Sequence, residues 1–223
     1  MIKAVIFDFD GVIADTEPVH FAAFRDVLNE EGYLLSKDEY YGKYLAYDDK
    51  TLFSKFFSSY NIKLPKKDLD RLLIRKSHLY DERAKDEMKI FPGVNSFLEN
   101  IKYKFRIAIG SGALKKEIIS ALEILGIDKY FELIISADEV VECKPSPEVY
   151  NKVLDSLNTA KGELIMSGEC IVIEDSVYGI EAAKKAGMRC IAVTNTYPSS
   201  ELSGADVVIE RLDKLSLDMF KTD

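Results

Sequence analysis

The chain opens on an uncharged, β-branched run from Ala4 to Phe7 that stops at Asp8-Phe9-Asp10-Gly11. A short continuous apolar run fits a strand buried on both faces, the kind found at the centre of a parallel sheet. The period turns helical over residues 16–31, with Phe24, Val27 and Leu28 as the apolar stripe and Gly32 as the stop. Helical patterns at 36–42, 48–59 and 65–87 follow with no strand between them, until Ile90-Phe91-Pro92-Gly93 breaks the series. Beyond it helices and strands alternate: helix 94–104, strand 106–110, helix 114–125, strand 133–136, helix 147–158, strand 170–173, helix 176–186, strands 189–194 and 207–209, and a last helix after Leu212. The pattern predicts an α/β fold, a doubly wound parallel sheet with right-handed crossovers. Its core spans 1–14 and 90–223, and an all-helical cap domain of 15–89 is inserted after the first strand. Segment 157–169 fits no element of this scheme.

At 223 residues, 47% hydrophobic and 30% charged, the chain is long enough for a full core and reads as a soluble globular protein. A net charge of −8 with no basic stripe argues against nucleic acid as a partner. No stretch is long and apolar enough to span a membrane, and the N-terminal run is too short for a signal peptide. Three widely spaced cysteines, Cys143, Cys170 and Cys190, form no metal-ligand pattern and read as reduced, buried thiols of a cytoplasmic protein.

The polar residues that change this picture sit at strand ends. Asp8 and Asp10 follow the first strand, and alone they read equally well as a capped turn. Ser111-Gly112 ends the second core strand; a serine there is most often a helix cap, but it also leaves amides able to meet an anion. Lys144 follows the third strand in Cys143-Lys144-Pro145-Ser146-Pro147, where a lone lysine is usually surface. Glu174-Asp175 ends the fourth, as surface turns often do. In a parallel sheet all four ends face one mouth, which gathers four carboxylates, a hydroxyl and an ammonium. Such a carboxylate density calls for a hard cation such as Mg²⁺. A cation, Lys144 and Ser111 together suit a phosphoryl group, whose charge must be neutralised during transfer. Asp8 is then placed to form an aspartyl phosphate, with Asp10 to protonate the leaving oxygen and later activate water.

These residues resemble the haloacid dehalogenase superfamily. The resemblance lies in Asp8-Phe9-Asp10-Gly11-Val12, Ser111, Lys144-Pro145-Ser146-Pro147-Glu148 and Glu174-Asp175-Ser176, with Gly179-Ile180-Glu181-Ala182-Ala183 behind. The matches come in order and span nearly the whole chain. The resemblance implies Asp8 as nucleophile, Asp10 as general acid/base, and phosphate held by Ser111, Gly112 and Lys144. It implies Mg²⁺ held by Asp8, the Asp10 carbonyl and Asp175, with Glu174 close by. Asp10 argues against the dehalogenase branch. The cap's position and helical character place the chain near the β-phosphoglucomutase and phosphoglycolate phosphatase group.

In the cap, Lys76 falls inside the stripe of Leu69, Leu72, Leu73 and Tyr80, and His20 shares a face with Phe24, Val27 and Glu31. A snorkelling lysine and a core histidine are the plain readings; the resemblance implies that both serve substrate, with Thr16-Glu17-Pro18 as hinge. Mutase relatives carry an arginine before the middle cap helix, where this chain has Tyr44-Leu45-Ala46-Tyr47-Asp48-Asp49-Lys50. Lys43 or Lys50 can substitute only as a point charge. The expectation is therefore a Mg²⁺-dependent phosphatase acting on a small phosphorylated metabolite. A sugar phosphomutase and a non-catalytic binder of such metabolites remain as alternatives, and the sequence leaves the oligomeric state open, a monomer included.

Overall fold

The computed structural model describes residues 1–45, 47–160 and 164–220. The chain divides into two compact units, Met1–Asp15 with Lys89–Asp223, and Thr16–Met88.

The first unit is built on a six-stranded sheet in the order β5-β4-β1-β6-β7-β8, made of β1 (Ala4–Phe7), β4 (Arg106–Gly110), β5 (Leu133–Ile135), β6 (Cys170–Glu174), β7 (Arg189–Val193) and β8 (Val207–Ile209). Every neighbouring pair is parallel. The chain winds outward from β1 through β4 and β5 on one side and through β6, β7 and β8 on the other. The topological switch point, where open α/β sheets form their crevice, therefore lies at β1. Helices α5 (Val94–Ile101), α6 (Lys115–Leu125), α7 (Glu148–Ala160) and α8 (Val177–Lys185) connect the strands.

β1 is buried on both faces because its side chains alternate between two apolar layers. Ala4 and Ile6 face a cluster with Tyr150, Val153 and Leu157 of α7 and Ile180 and Ala183 of α8. Phe7 points the other way and packs edge-on to Phe97 and Phe131, each ring centroid 6.1 Å away. Register carries this order to the strand ends: Phe7 is level with Ile109 of β4 and with Ile173 of β6.

Two elements escaped the hydrophobic pattern. β2 (Ala14–Asp15) and β3 (Lys89–Ile90) pair antiparallel within the first unit, and strands of two residues carry no readable alternation. The expected last helix is instead two 3₁₀ turns, Leu212–Lys214 and Leu217–Phe220. Between them Leu215 is extended and the Ser216 hydroxyl accepts from Asp218 N–H at 3.2 Å, a local bond that competes with a helix. Segment 157–169 is anchored by Asn158, whose amide donates to the Ile165 carbonyl and accepts from its N–H at 2.7 Å. Residues 161–163 of that segment lie outside the described residues.

The second unit comprises α1 (Glu17–Glu30), α2 (Lys37–Glu39), α3 (Asp49–Ser59) and α4 (Lys66–Glu87), with a π-helical turn over Tyr40–Tyr44. The helix expected at 36–42 is thus one turn, capped by Ser36, that widens around Gly42, a residue that disfavours regular helix. Phe24, Leu28, Leu52, Phe53, Phe56 and Leu72 form its core. Arg71 and Arg75 of α4 reach Glu31 and Glu30 at the end of α1, each pair at 2.6 Å. No described helix is long and apolar enough to cross a membrane.

Removing the Phe7 ring leaves a cavity between the central strand and its aromatic neighbours. Phe7→Ala is expected to cost about 3–5 kcal/mol of stability, measured as a lowered urea midpoint; an unchanged midpoint overturns the packing assigned to this face.

Candidate active site

Asp8 follows β1 directly, and its N–H donates to the Ile173 carbonyl at 2.9 Å, which extends the β1–β6 pairing by one bond. The same register brings Glu174, the last residue of β6, level with Asp8. Carboxylate oxygens of Asp8, Glu174 and Asp175 lie within 4.8 Å of one another, and all three residues are buried. Gly11 leaves the strand end with φ +76°, and a Cβ there would lie 1.9 Å from Asp175 Oδ2 and 2.7 Å from Thr196 Oγ1. Only glycine fits that approach.

Lys144 enters this cluster from the loop after β5. Its Nζ donates to Asp8 Oδ1 at 2.6 Å and to Glu174 Oε1 at 2.7 Å. The loop is tied down by Glu148 at the start of α7, whose carboxylate accepts from Val141 N–H at 3.0 Å and Glu142 N–H at 2.8 Å. Its bond to Lys152 and these two backbone bonds hold the Glu148 carboxyl at about 2. Glu174 is saturated with donors. Oε1 receives Lys144 and the Tyr150 hydroxyl, the latter at 2.7 Å. Oε2 receives the N–H groups of Asp175 and Ser176 at 3.0 and 3.2 Å and the Ser176 hydroxyl at 3.0 Å. Ser176 in turn caps α8 by accepting from Gly179 N–H. A Cβ on Gly179 would lie 1.7 Å from Glu174 Oε1, so the helix start closes directly on this carboxylate.

The electrostatics follow from one ammonium facing three buried carboxyl groups. Burial pushes the Asp8 carboxyl up to about 7; Lys144 opposes this, while Glu174 and Asp10 reinforce it. Asp175 is raised for the same reasons, burial first and then the charges of Glu174 and Asp8. Burial would also raise Glu174, but Lys144 and the surrounding donors outweigh it and hold it ionised. Burial would lower Lys144, and the two carboxylates it touches reverse that, so it remains an ammonium. One ammonium answers Glu174, while burial and mutual repulsion make Asp8 and Asp175 hold their protons more tightly. An all-oxygen set of this kind, with three carboxyl groups crowded together, suits a hard divalent cation.

The remaining strand-end residues have distinct surroundings. Ser111, at the end of β4, is buried, and its hydroxyl accepts from Ala113 N–H at 3.1 Å. It is not the cap of α6: Leu114 holds that position, and Asp138 accepts from Lys115 N–H at 2.9 Å. Gly112, next in line, is exposed. Asp10 is half-buried, and its carboxylate is outside the Asp8–Glu174–Asp175 trio. Sequence reasoning missed three supports. Tyr150 lies inside an apolar helical stripe, and burial followed by the Glu174 charge keeps its phenol protonated. Asn195 donates to the Gly11 carbonyl at 2.7 Å, and Thr196 hydrogen-bonds Asp175. A polar triplet after a strand end, Thr194-Asn195-Thr196, was the available signal. Cys143 is exposed, which corrects its expected burial: it turns outward as its neighbour Lys144 turns in. Cys170 and Cys190 are buried and unpaired.

In the second unit, Lys76 is 1% exposed, so it does not snorkel. Its Nζ donates to His20 Nδ1 and to Asp49 Oδ2, both at 2.7 Å, and lies 4.9 Å from the Phe24 ring centroid and 5.1 Å from that of Tyr80. Burial and then the Lys76 charge hold His20 well below its ordinary pKa, as a neutral ring accepting through Nδ1. Lys43 is exposed on the π-helical turn and pairs with Glu39 at 3.1 Å. Within the arginine-free loop, Asp48 caps α3 by accepting from Thr51 N–H at 2.9 Å; Ala46 lies outside the described residues.

A doubly wound sheet with a buried carboxylate–lysine cluster at its switch point places charged groups where open α/β sheets bind their ligands, beyond the carboxyl ends of the strands. Residues 5–193 match the model of the haloacid dehalogenase-like hydrolases, and the chain belongs to that family. It is a phosphoric monoester hydrolase by class. The chain is 32% identical over 194 residues to a phosphorylated carbohydrates phosphatase of Thermotoga maritima, covering 85% of this chain and 84% of that one. It is 30% identical over 197 residues to a fructose-1-phosphate phosphatase of Escherichia coli, covering 85% and 95%. A crystal structure of a β-phosphoglucomutase from Clostridium difficile superposes with a TM-score of 0.80 at 26% identity, over 99% of this chain and 96% of that one.

The His20–Lys76 contact sets a pH response. A histidine whose folded pKa is depressed adds stability that is complete above its unfolded value of about 6.5 and is lost as pH falls from there towards the folded value. Lys76→Met is expected to raise the His20 pKa while leaving it below 6.5, because burial persists. An NMR titration checks this, and an unmoved pKa overturns the contact.

Proposed function

We propose that this chain is a Mg²⁺-dependent phosphatase that hydrolyses a small phosphorylated sugar through an aspartyl-phosphate intermediate. The observation that carries the reading is the Asp8 carboxylate held 2.6 Å from Lys144 Nζ beside Glu174 and Asp175. Asp8 is the nucleophile: its carboxylate oxygen bonds to phosphorus as the bond to the leaving oxygen breaks, and Asp10 gives that oxygen its proton. Water then attacks phosphorus, Asp10 takes up the proton, and the bond from phosphorus to Asp8 breaks to release inorganic phosphate. Ser111, the Gly112 N–H and Lys144 hold the phosphoryl oxygens. Asp8, the Asp10 carbonyl and Asp175, with Glu174 beside them, would hold Mg²⁺, which neutralises phosphate charge when bound. Substrate choice is assigned to the helical unit through His20, Lys43 and Lys76.

The carbohydrate-phosphate and fructose 1-phosphate activities named for the two relatives support a sugar phosphate as the substrate class. Hydrolysis is favoured over mutase chemistry because residues 44–50 carry two acids, Asp48 and Asp49, and no arginine to grip a second phosphate bidentately. The test is phosphate release across sugar phosphates and small phospho-acids, with Mg²⁺ and after chelation, including β-glucose 1-phosphate with and without a bisphosphate primer. Metal-dependent release from sugar phosphates is expected. Primed isomerisation without release overturns the hydrolase reading in favour of a mutase, and silence throughout in favour of a binding protein. Asp8→Asn is expected to keep the fold, checked by circular dichroism, and to lower kcat by on the order of 10⁴-fold; wild-type turnover in that variant removes Asp8 as nucleophile.

A further inference from the structure

Lys144 sits between two carboxylates, Asp8 at 2.6 Å and Glu174 at 2.7 Å, and one buried side chain from α7 meets both the ammonium and one of those carboxylates. The Tyr150 hydroxyl donates to Glu174 Oε1, the same oxygen that Lys144 contacts. The Tyr150 ring centroid lies 5.0 Å from Lys144 Nζ, within cation–π range. The ring also packs under Gly110, where a Cβ would lie 3.2 Å from it, directly before Ser111. We propose that Tyr150 is a positioning residue that keeps the Lys144 ammonium shared between Glu174 and Asp8 instead of captured by Glu174 alone.

The physical argument is a competition for one cation. Glu174 is ionised and rigidly held, so without a competing donor it draws the ammonium towards itself. The phenol occupies part of Oε1 and withdraws charge from it, which weakens that pull. The ring beneath Nζ adds an attraction that does not depend on either carboxylate. The ammonium therefore stays within hydrogen-bond reach of Asp8, where a phosphoryl oxygen bound to Asp8 also needs it. This last step rests on the phosphatase reading given above; the placement of Lys144 does not.

The variant is Tyr150→Phe, which keeps the ring and deletes one hydroxyl. A crystal structure of the variant is expected to show Lys144 Nζ withdrawn from Asp8 beyond hydrogen-bond distance, and an unmoved ammonium overturns the proposal whether or not the protein is a phosphatase. In the wild-type background, calorimetry with inorganic phosphate in Mg²⁺ is expected to show about tenfold weaker binding for Tyr150→Phe, the scale of one hydrogen bond to a charged group. In a Lys144→Ala background the same substitution is expected to have no further effect on phosphate binding. A merely structural tyrosine gives additive losses instead, and additivity overturns the proposal. Tyr150→Met, which removes the ring too, is expected to lose more than Tyr150→Phe; equal losses remove the ring from the account. If the wild-type protein neither binds phosphate nor hydrolyses phosphate esters, the phosphatase reading fails, and the position of Lys144 in the variant crystal still decides the role of Tyr150.

Discussion

Three carboxylates, Asp8, Glu174 and Asp175, meet within 4.8 Å at the end of an apolar sheet, and every neighbouring element is arranged around the cost of holding them there. Lys144 bridges two of them. The start of α8 closes on Glu174 with two backbone amides and the Ser176 hydroxyl, and α7 supplies the Tyr150 hydroxyl. Gly11 and Gly179 are glycines because a Cβ at either would overlap these same carboxylates. The burial that makes the cluster costly also strengthens its attraction for a cation, since charges interact more strongly away from bulk water.

The helical unit buries an ammonium as well, with the opposite outcome. Lys76 meets one carboxylate, one neutral imidazole and two aromatic faces, so its charge is answered by Asp49 and the cluster ends neutral. In the strand-end cluster Lys144 is outnumbered, and burial and neighbouring carboxylates raise the Asp8 and Asp175 carboxyls. Charge balance therefore distinguishes a site that calls for a further cation from one already satisfied within its own unit.

The residues that only support the cluster are placed by backbone bonds. Glu148 ties the Lys144 loop to the first turn of α7, and Asn195 ties the Asp8–Gly11 turn to the end of β7. These links convert strand ends, which are otherwise free to splay, into a fixed frame. In a family whose chemistry is carried on strand ends, such ties set how accurately the nucleophile and the lysine face each other.

The sequence by itself determined the parallel sheet and the position of its central strand, since continuous apolar runs alternating with amphipathic helices admit few other arrangements. It also placed Asp8, Ser111, Glu174 and Asp175 at strand ends and Lys144 in the loop that follows one, because period and turn signals are local. The two-residue β2–β3 pair and the 3₁₀ ending were illegible, being too short or too locally bonded to leave a period. Tyr150 was hidden because a buried tyrosine in an apolar stripe is spelled the same whether or not its hydroxyl has a task. Only the tertiary structure decided that Glu174 is filled by donors, that Lys144 turns inward while Cys143 turns out, and that Lys76 is neutralised by Asp49. Each of these is a contact between residues distant in the chain, and the choice of charge partner depends on distances that no local pattern encodes.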